Sequence, residues 1–174
     1  MNNVELRENL EDSQLRDQVP FPLLEGEILK YLTISSRQNL SIRLIDGDNE
    51  VQIAAKDGNI YLTNFRLVYV TESQGDINTF QLDVREAPLL RFSHKLVSPW
   101  FGANYWEFLF HSTKSTTSSD GLPLQRWFKG TIKFLDGGVF DFVKAFDYVF
   151  NDIINNPGID EELPRYENIE RNGY

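Results

Sequence analysis

Cysteine is absent from this 174-residue chain, which excludes disulfide staples and thiolate metal sites. That fits a reducing compartment, and the sequence reads as an intracellular protein, cytoplasmic with the nucleus as a second location. Histidine is nearly absent as well: His94 and His111 are the only two. Both fall in strand-like segments, so no paired-imidazole metal site is expected. Long apolar runs are missing, none approaching the roughly 20 residues that cross a bilayer. Met1 to Leu15 is polar and mixed in charge, unlike a secretory signal. Positive charge is scarce, with 17 Lys and Arg against 26 Asp and Glu and a net charge of −9. Such a balance argues against nonspecific nucleic-acid binding and against long-range steering to anionic membranes. There is no Gly-rich phosphate loop and no nucleophile elbow. The chain is expected to be a non-enzymatic protein without a cofactor.

What is present is enough apolar material for a core: 41% hydrophobic residues, with aromatics at 13%. Residues 1–19 carry only a thin helical face (Val4, Leu10, Leu15) and are expected to form a flexible arm. Pro20-Phe21-Pro22 stops any helix and opens a domain over 20–156. From there the pattern is strand-like. Leu40, Ile42 and Leu44 alternate with Ser41 and Arg43, the period of a half-buried strand. Asn59 to Thr63 and Arg66 to Thr71 read as a hairpin turning at Asn64-Phe65. Further strands are expected at Val51–Ala55, Thr79–Val84, Arg91–Val97, Tyr105–His111 and Arg126–Leu135. Asp46-Gly47-Asp48-Asn49-Glu50 opens like a calcium loop, but no helices flank it, and a polar hairpin turn is the preferred reading. Residues 112–125 form a low-complexity polar loop, in which Ser118 and Ser119 are candidate phosphorylation sites.

The period then changes. Val139, Phe142, Val143, Phe146, Val149, Phe150 and Ile153 follow helical spacing, which predicts one amphipathic helix over about 139–155, before Asn156-Pro157-Gly158. The expected fold is therefore mainly β with one C-terminal helix. It is a strongly bent antiparallel barrel of about seven strands, its open end capped by the helix, in the pleckstrin-homology-like manner.

Three stretches carry a family resemblance. Gly58-Asn59-Ile60-Tyr61-Leu62-Thr63-Asn64-Phe65-Arg66-Leu67-Val68-Tyr69-Val70 resembles the signature hairpin of GRAM domains, a branch of that superfold. Phe101-Gly102-Ala103-Asn104-Tyr105 resembles a segment of the WW-domain-binding protein 2 family. Gly130 to Phe134, with Gly137-Gly138-Val139-Phe140-Asp141-Phe142, resembles that family's last strand and helix start. The resemblance implies a GRAM domain followed by a tail that WW domains recognise, with HECT-type ubiquitin ligases as partners.

The tail, residues 157–174, is acidic and contains Leu163-Pro164-Arg165-Tyr166. Proline fixes its own φ and pushes Leu163 toward extended backbone, so the segment is biased to polyproline II. Aromatic-lined grooves of the WW type take such ligands, with Leu163, Pro164 and Tyr166 as the contact residues. The family's usual tail is longer, Pro-rich and bears Pro-Pro-x-Tyr, so its transcriptional coactivator role transfers less well than its WW recognition. The expected function is adaptor or regulated client of a WW-domain ubiquitin ligase. The alternative is a phosphoinositide- or membrane-binding module, for which Lys30, Arg37 and Arg43 bracket the first predicted hairpin. A coactivator-like or assembly-scaffold role comes third. In the aromatic stretch from Trp100 to Phe110, Trp100 and Trp106 are candidates for partial exposure.

Overall fold

The computed structural model describes residues 19–47, 50–113 and 122–156. Among the described residues, nine strands precede one helix: β1 (Leu29–Leu32), β2 (Gln38–Leu44), β3 (Gln52–Ala55), β4 (Gly58–Thr63), β5 (Arg66–Thr71), β6 (Thr79–Asp83), β7 (Ser93–Val97), β8 (Tyr105–His111), β9 (Trp127–Phe134) and α1 (Val139–Asn155). A short 3-10 turn at Val84–Glu86 links β6 toward β7. The strands form two antiparallel sheets, β1-β4-β5-β6 and β3-β2-β9-β8-β7.

The count is nine, against about seven expected, because a two-stranded ribbon bends from one sheet into the other. Its first arm breaks between β1 and β2, its second between β3 and β4. The two corners are held to each other: the Thr33 N–H donates to the Ile60 carbonyl and the Gly58 N–H to that of Ser36. Orthogonal sheets are commonly joined by strands that turn such corners.

Strand alternation fills the space between the sheets. Leu40, Ile42, Trp106, Phe108, Phe110, Phe128, Ile132 and Phe134 point inward from the five-stranded sheet and are buried. Ile60, Leu62, Leu67, Tyr69, Phe80 and Leu82 meet them from the other. Gly130 belongs to the inward set because the Phe108 ring occupies its side-chain space. A Cβ there would sit 2.0 Å from the ring's Cζ.

Gly137 and Gly138, at φ 80° and 90°, turn the chain from β9 into α1 through left-handed backbone that other residues resist. The helix covers the range its periodicity indicates and buries Val139, Phe142, Phe146 and Val149. Phe142 packs on Trp106 edge to face at 5.0 Å, and Phe146 on the same indole at 4.8 Å. Each fully buried phenylalanine contributes roughly 1.5–3 kcal/mol.

A second, smaller core lies outside the four-stranded sheet. There Val19 and Phe21 pack on Tyr61 and Val68. Beside them Glu27, 4% exposed, accepts from the Arg66 Nε at 2.7 Å and from the Thr63 hydroxyl at 2.7 Å. The Leu24 N–H donates to its other oxygen at 2.7 Å.

Candidate functional site

The outward face of the five-stranded sheet follows from the same alternation. Where Phe128, Gly130, Ile132 and Phe134 point in, Lys129, Thr131 and Lys133 point out. Register aligns them with neighbours on both sides. Lys129 lies opposite Arg43 on β2, Thr131 opposite Ser41 and Glu107, and Lys133 opposite Tyr105. Gln52 of β3 continues the Arg43 row, and Lys95 of β7 lies opposite Glu107. These residues, Lys95 apart, line an open cleft of about 360 Å³, within the size range of small-molecule sites.

Electrostatics of this face are built around Glu107. It is 7% exposed although it points away from the core, because Lys129 covers it at 2.7 Å and Lys95 at 3.2 Å. Burial works against its ionisation, but the two ammonium groups outweigh burial and hold the carboxyl below the usual carboxylate range. Glu107 therefore fixes the lysine positions. Among the described residues, Arg43 and Lys133 form no ion pair. Arg43 and Lys129 are like charges directly opposite on adjacent strands, an arrangement that destabilises a sheet and that a bound anion would relieve. Two cations thus hold one carboxylate while Arg43 and Lys133 line the same cleft, with the Ser41, Thr131 and Tyr105 hydroxyls and the Gln52 amide as further polar groups. Such a set suits a ligand bearing more than one phosphate.

Of the three cations singled out from sequence, only Arg43 lines this cleft. Lys30 is on β1, in the other sheet. Arg37 sits at the ribbon corner, where its Nε is 3.4 Å from Asp136. Arg43 lies six residue steps beyond Arg37 along an extended strand, about 20 Å. Sequence reasoning did not single out Lys95, Lys129 or Lys133. The alternation Lys129-x-Thr131-x-Lys133 was visible in the sequence, but its register against Arg43 was not.

Trp106 is a correction: it is fully buried under α1, its indole N–H donating to His94 Nδ1 at 3.1 Å. Trp100 is instead 98% exposed. His94 is structural, held among Phe92, Phe146 and Phe150 with Nε2 3.4 Å from Asp147. His111 lies on β8 against Trp127. Leu163, Pro164 and Tyr166, and Ser118 and Ser119, lie outside the described residues.

No protein-family model matches the chain, and no curated protein does. Among solved structures it is similar to the Vps36 N-terminal PH domain, at 17% identity and a TM-score of 0.53. The match covers 78% of this chain and 87% of that one. At that identity the likeness shows the fold alone: a β-sandwich of the pleckstrin-homology type, closed by its C-terminal helix.

Proposed function

We propose that this domain is a non-enzymatic binding module for a multiply phosphorylated lipid headgroup of the phosphoinositide class, acting in the cytoplasm. The observation that carries this reading is the placement of Arg43, Lys129 and Lys133 on one cleft, with Lys95 beside Glu107 on the same sheet face, in a chain whose net charge is −9. Overall charge repels anions, so recognition is local and short-range rather than steered over distance. The pleckstrin-homology type of fold supports the same class of ligand.

The test is calorimetric titration of the full chain with inositol 1,4,5-trisphosphate, beside the Arg43→Ala/Lys129→Ala/Lys133→Ala variant. Removing each charge-assisted hydrogen bond to phosphate should weaken binding by roughly tenfold or more. Unchanged binding in the triple variant, or none by the wild type, overturns the reading.

A second reading rests on the tail. Leu163-Pro164-Arg165-Tyr166, with the likeness to GRAM domains and the WW-domain-binding protein 2 family, favours an adaptor for a WW-domain ubiquitin ligase. Titrating a 157–174 peptide and its Tyr166→Ala form against WW domains tests it. A WW hot-spot tyrosine should be worth about 2 kcal/mol, roughly 30-fold, and no binding by either peptide removes this reading. The two readings are compatible, since they rest on different residues of the chain.

A further inference from the structure

We propose that the corner end of the sandwich is an apolar wedge that enters the hydrocarbon layer of a lipid bilayer, an inference that rests on the lipid reading above. Trp100 and Phe101, 98% and 92% exposed, occupy the loop between β7 and β8, and Ile34 is fully exposed at the ribbon corner. Next to the aromatic pair Gly102 holds a positive φ, and a Cβ added to it would meet nothing within 4 Å. This loop stands clear of the sheets.

Backbone hydrogen bonds bring these tips to one end of the molecule. Phe134 donates to the Asn104 carbonyl, and Leu135 to that of Arg37. Leu135 and Phe140, both exposed, complete the apolar set on the chain that enters α1.

A bilayer fits this set better than a protein partner does. The large side chains project from separate segments, the β7–β8 loop, the ribbon corner and the start of α1, and a protein would have to match each of them. Acyl chains need no such match. Tryptophan favours the membrane interface, where its ring is buried and its N–H stays hydrated. One cation of the cleft is placed to match. Lys133 pairs in register with Tyr105, the first β8 residue after the aromatic loop. The cleft therefore begins where the loop ends, and an inserted loop would set it at headgroup depth. The acidic net charge makes apolar insertion the more useful source of membrane affinity.

The experiment uses the full chain and phosphatidylcholine vesicles with and without phosphatidylinositol 4,5-bisphosphate, read by tryptophan emission, quenching by brominated acyl chains and co-sedimentation. Trp106 is buried and Trp127 half-buried, so Trp100 reports insertion. The wild type should shift to the blue on bisphosphate vesicles and be quenched. Trp100→Ala/Phe101→Ala should lose vesicle affinity by roughly tenfold or more, yet bind soluble inositol trisphosphate within about twofold of wild type. Both side chains are exposed, so folding should be preserved. Vesicle binding with no blue shift and no quenching overturns the wedge and leaves the headgroup reading standing. Insertion that survives Arg43→Ala/Lys129→Ala/Lys133→Ala, in a chain that ignores inositol trisphosphate, overturns the headgroup reading and supports the wedge. A wild-type dimer that Trp100→Ala/Phe101→Ala turns to monomer, without vesicle binding by either, overturns the wedge in favour of a self-interface.

Discussion

The outer faces of the two sheets treat solvent in opposite ways. Over the four-stranded sheet, the chain preceding β1 lays Val19 and Phe21 on Tyr61 and Val68. The charge trapped there is fully satisfied, because Glu27 receives the Arg66 guanidinium, the Thr63 hydroxyl and the Leu24 N–H. Over the five-stranded sheet no described segment is laid down, and Glu107 is shielded by two lysine side chains. One face is an internal interface already occupied by the protein's own chain. The other leaves Arg43 and Lys133 without an ion pair among the described residues. Breaking the covered face should therefore cost stability where altering the bare one should not. Removing one partner of a buried ion pair strands the other, at about 3–5 kcal/mol. Arg66→Leu should lower stability by about that much in urea unfolding, and Glu27→Leu/Arg66→Leu should recover a large part of it. Equal losses in the single and double variants would show that packing, not the stranded carboxylate, sets the cost.

A smaller effect separates the two sides of the five-stranded sheet itself. His94 and Lys95 are adjacent on β7, one turned in to α1 and the other out to Glu107. His94 accepts the Trp106 indole N–H, so it must remain neutral at Nδ1. Around it stand Phe92, Phe146 and Phe150, with Asp147 as the one nearby charge among the described residues. Burial lowers its pKa from the ordinary value, and Asp147 only partly offsets this. In the unfolded chain the imidazole takes up a proton near pH 6.5, while the folded protein resists. Between that pH and the lower folded pKa, the unfolded state binds more protons, so stability falls as pH drops. The urea midpoint should fall from pH 7.5 to pH 5.5 in the wild type and fall less in His94→Gln. Parallel pH profiles for the two would sink this account.

How much of this was legible depended on whether a feature was local. The helix announced itself because Phe142, Phe146 and Val149 repeat at helical spacing, and β9 because Phe128, Ile132 and Phe134 alternate with Lys129, Thr131 and Lys133. Sheet membership was not local. Lys30, Arg37 and Arg43 sit close in sequence, but the corner after β1 sends Lys30 to one sheet and Arg43 to the other. Arg43 instead meets Lys129, a partner set by long-range register that no short window contains. The two tryptophans divide similarly. Trp106 and Trp100 belong to one aromatic run, yet strand pairing buries the first under α1, and the turn between β7 and β8 leaves the second outside. The Gly130 requirement was equally hidden, since it depends on where the Phe108 ring rests.

The smallest expected effect tests the bare face directly. Lys133 is exposed, forms no ion pair among the described residues, and points away from the Phe134 side chain that follows it into the core. Its removal exposes no apolar surface and strands no charge, so Lys133→Ala should change unfolding stability by no more than about 0.5 kcal/mol. It should even be slightly favourable if crowding of cations on this face costs stability at low ionic strength, and that gain should vanish in high salt, where exposed charges are screened. A loss above about 1 kcal/mol would mean that Lys133 has a structural partner, and the five-stranded face would then hold the fold together no less than the four-stranded one does. A neutral result in stability, set beside a large loss in inositol trisphosphate affinity, would separate the two faces by function: one holding the protein together, the other holding its ligand.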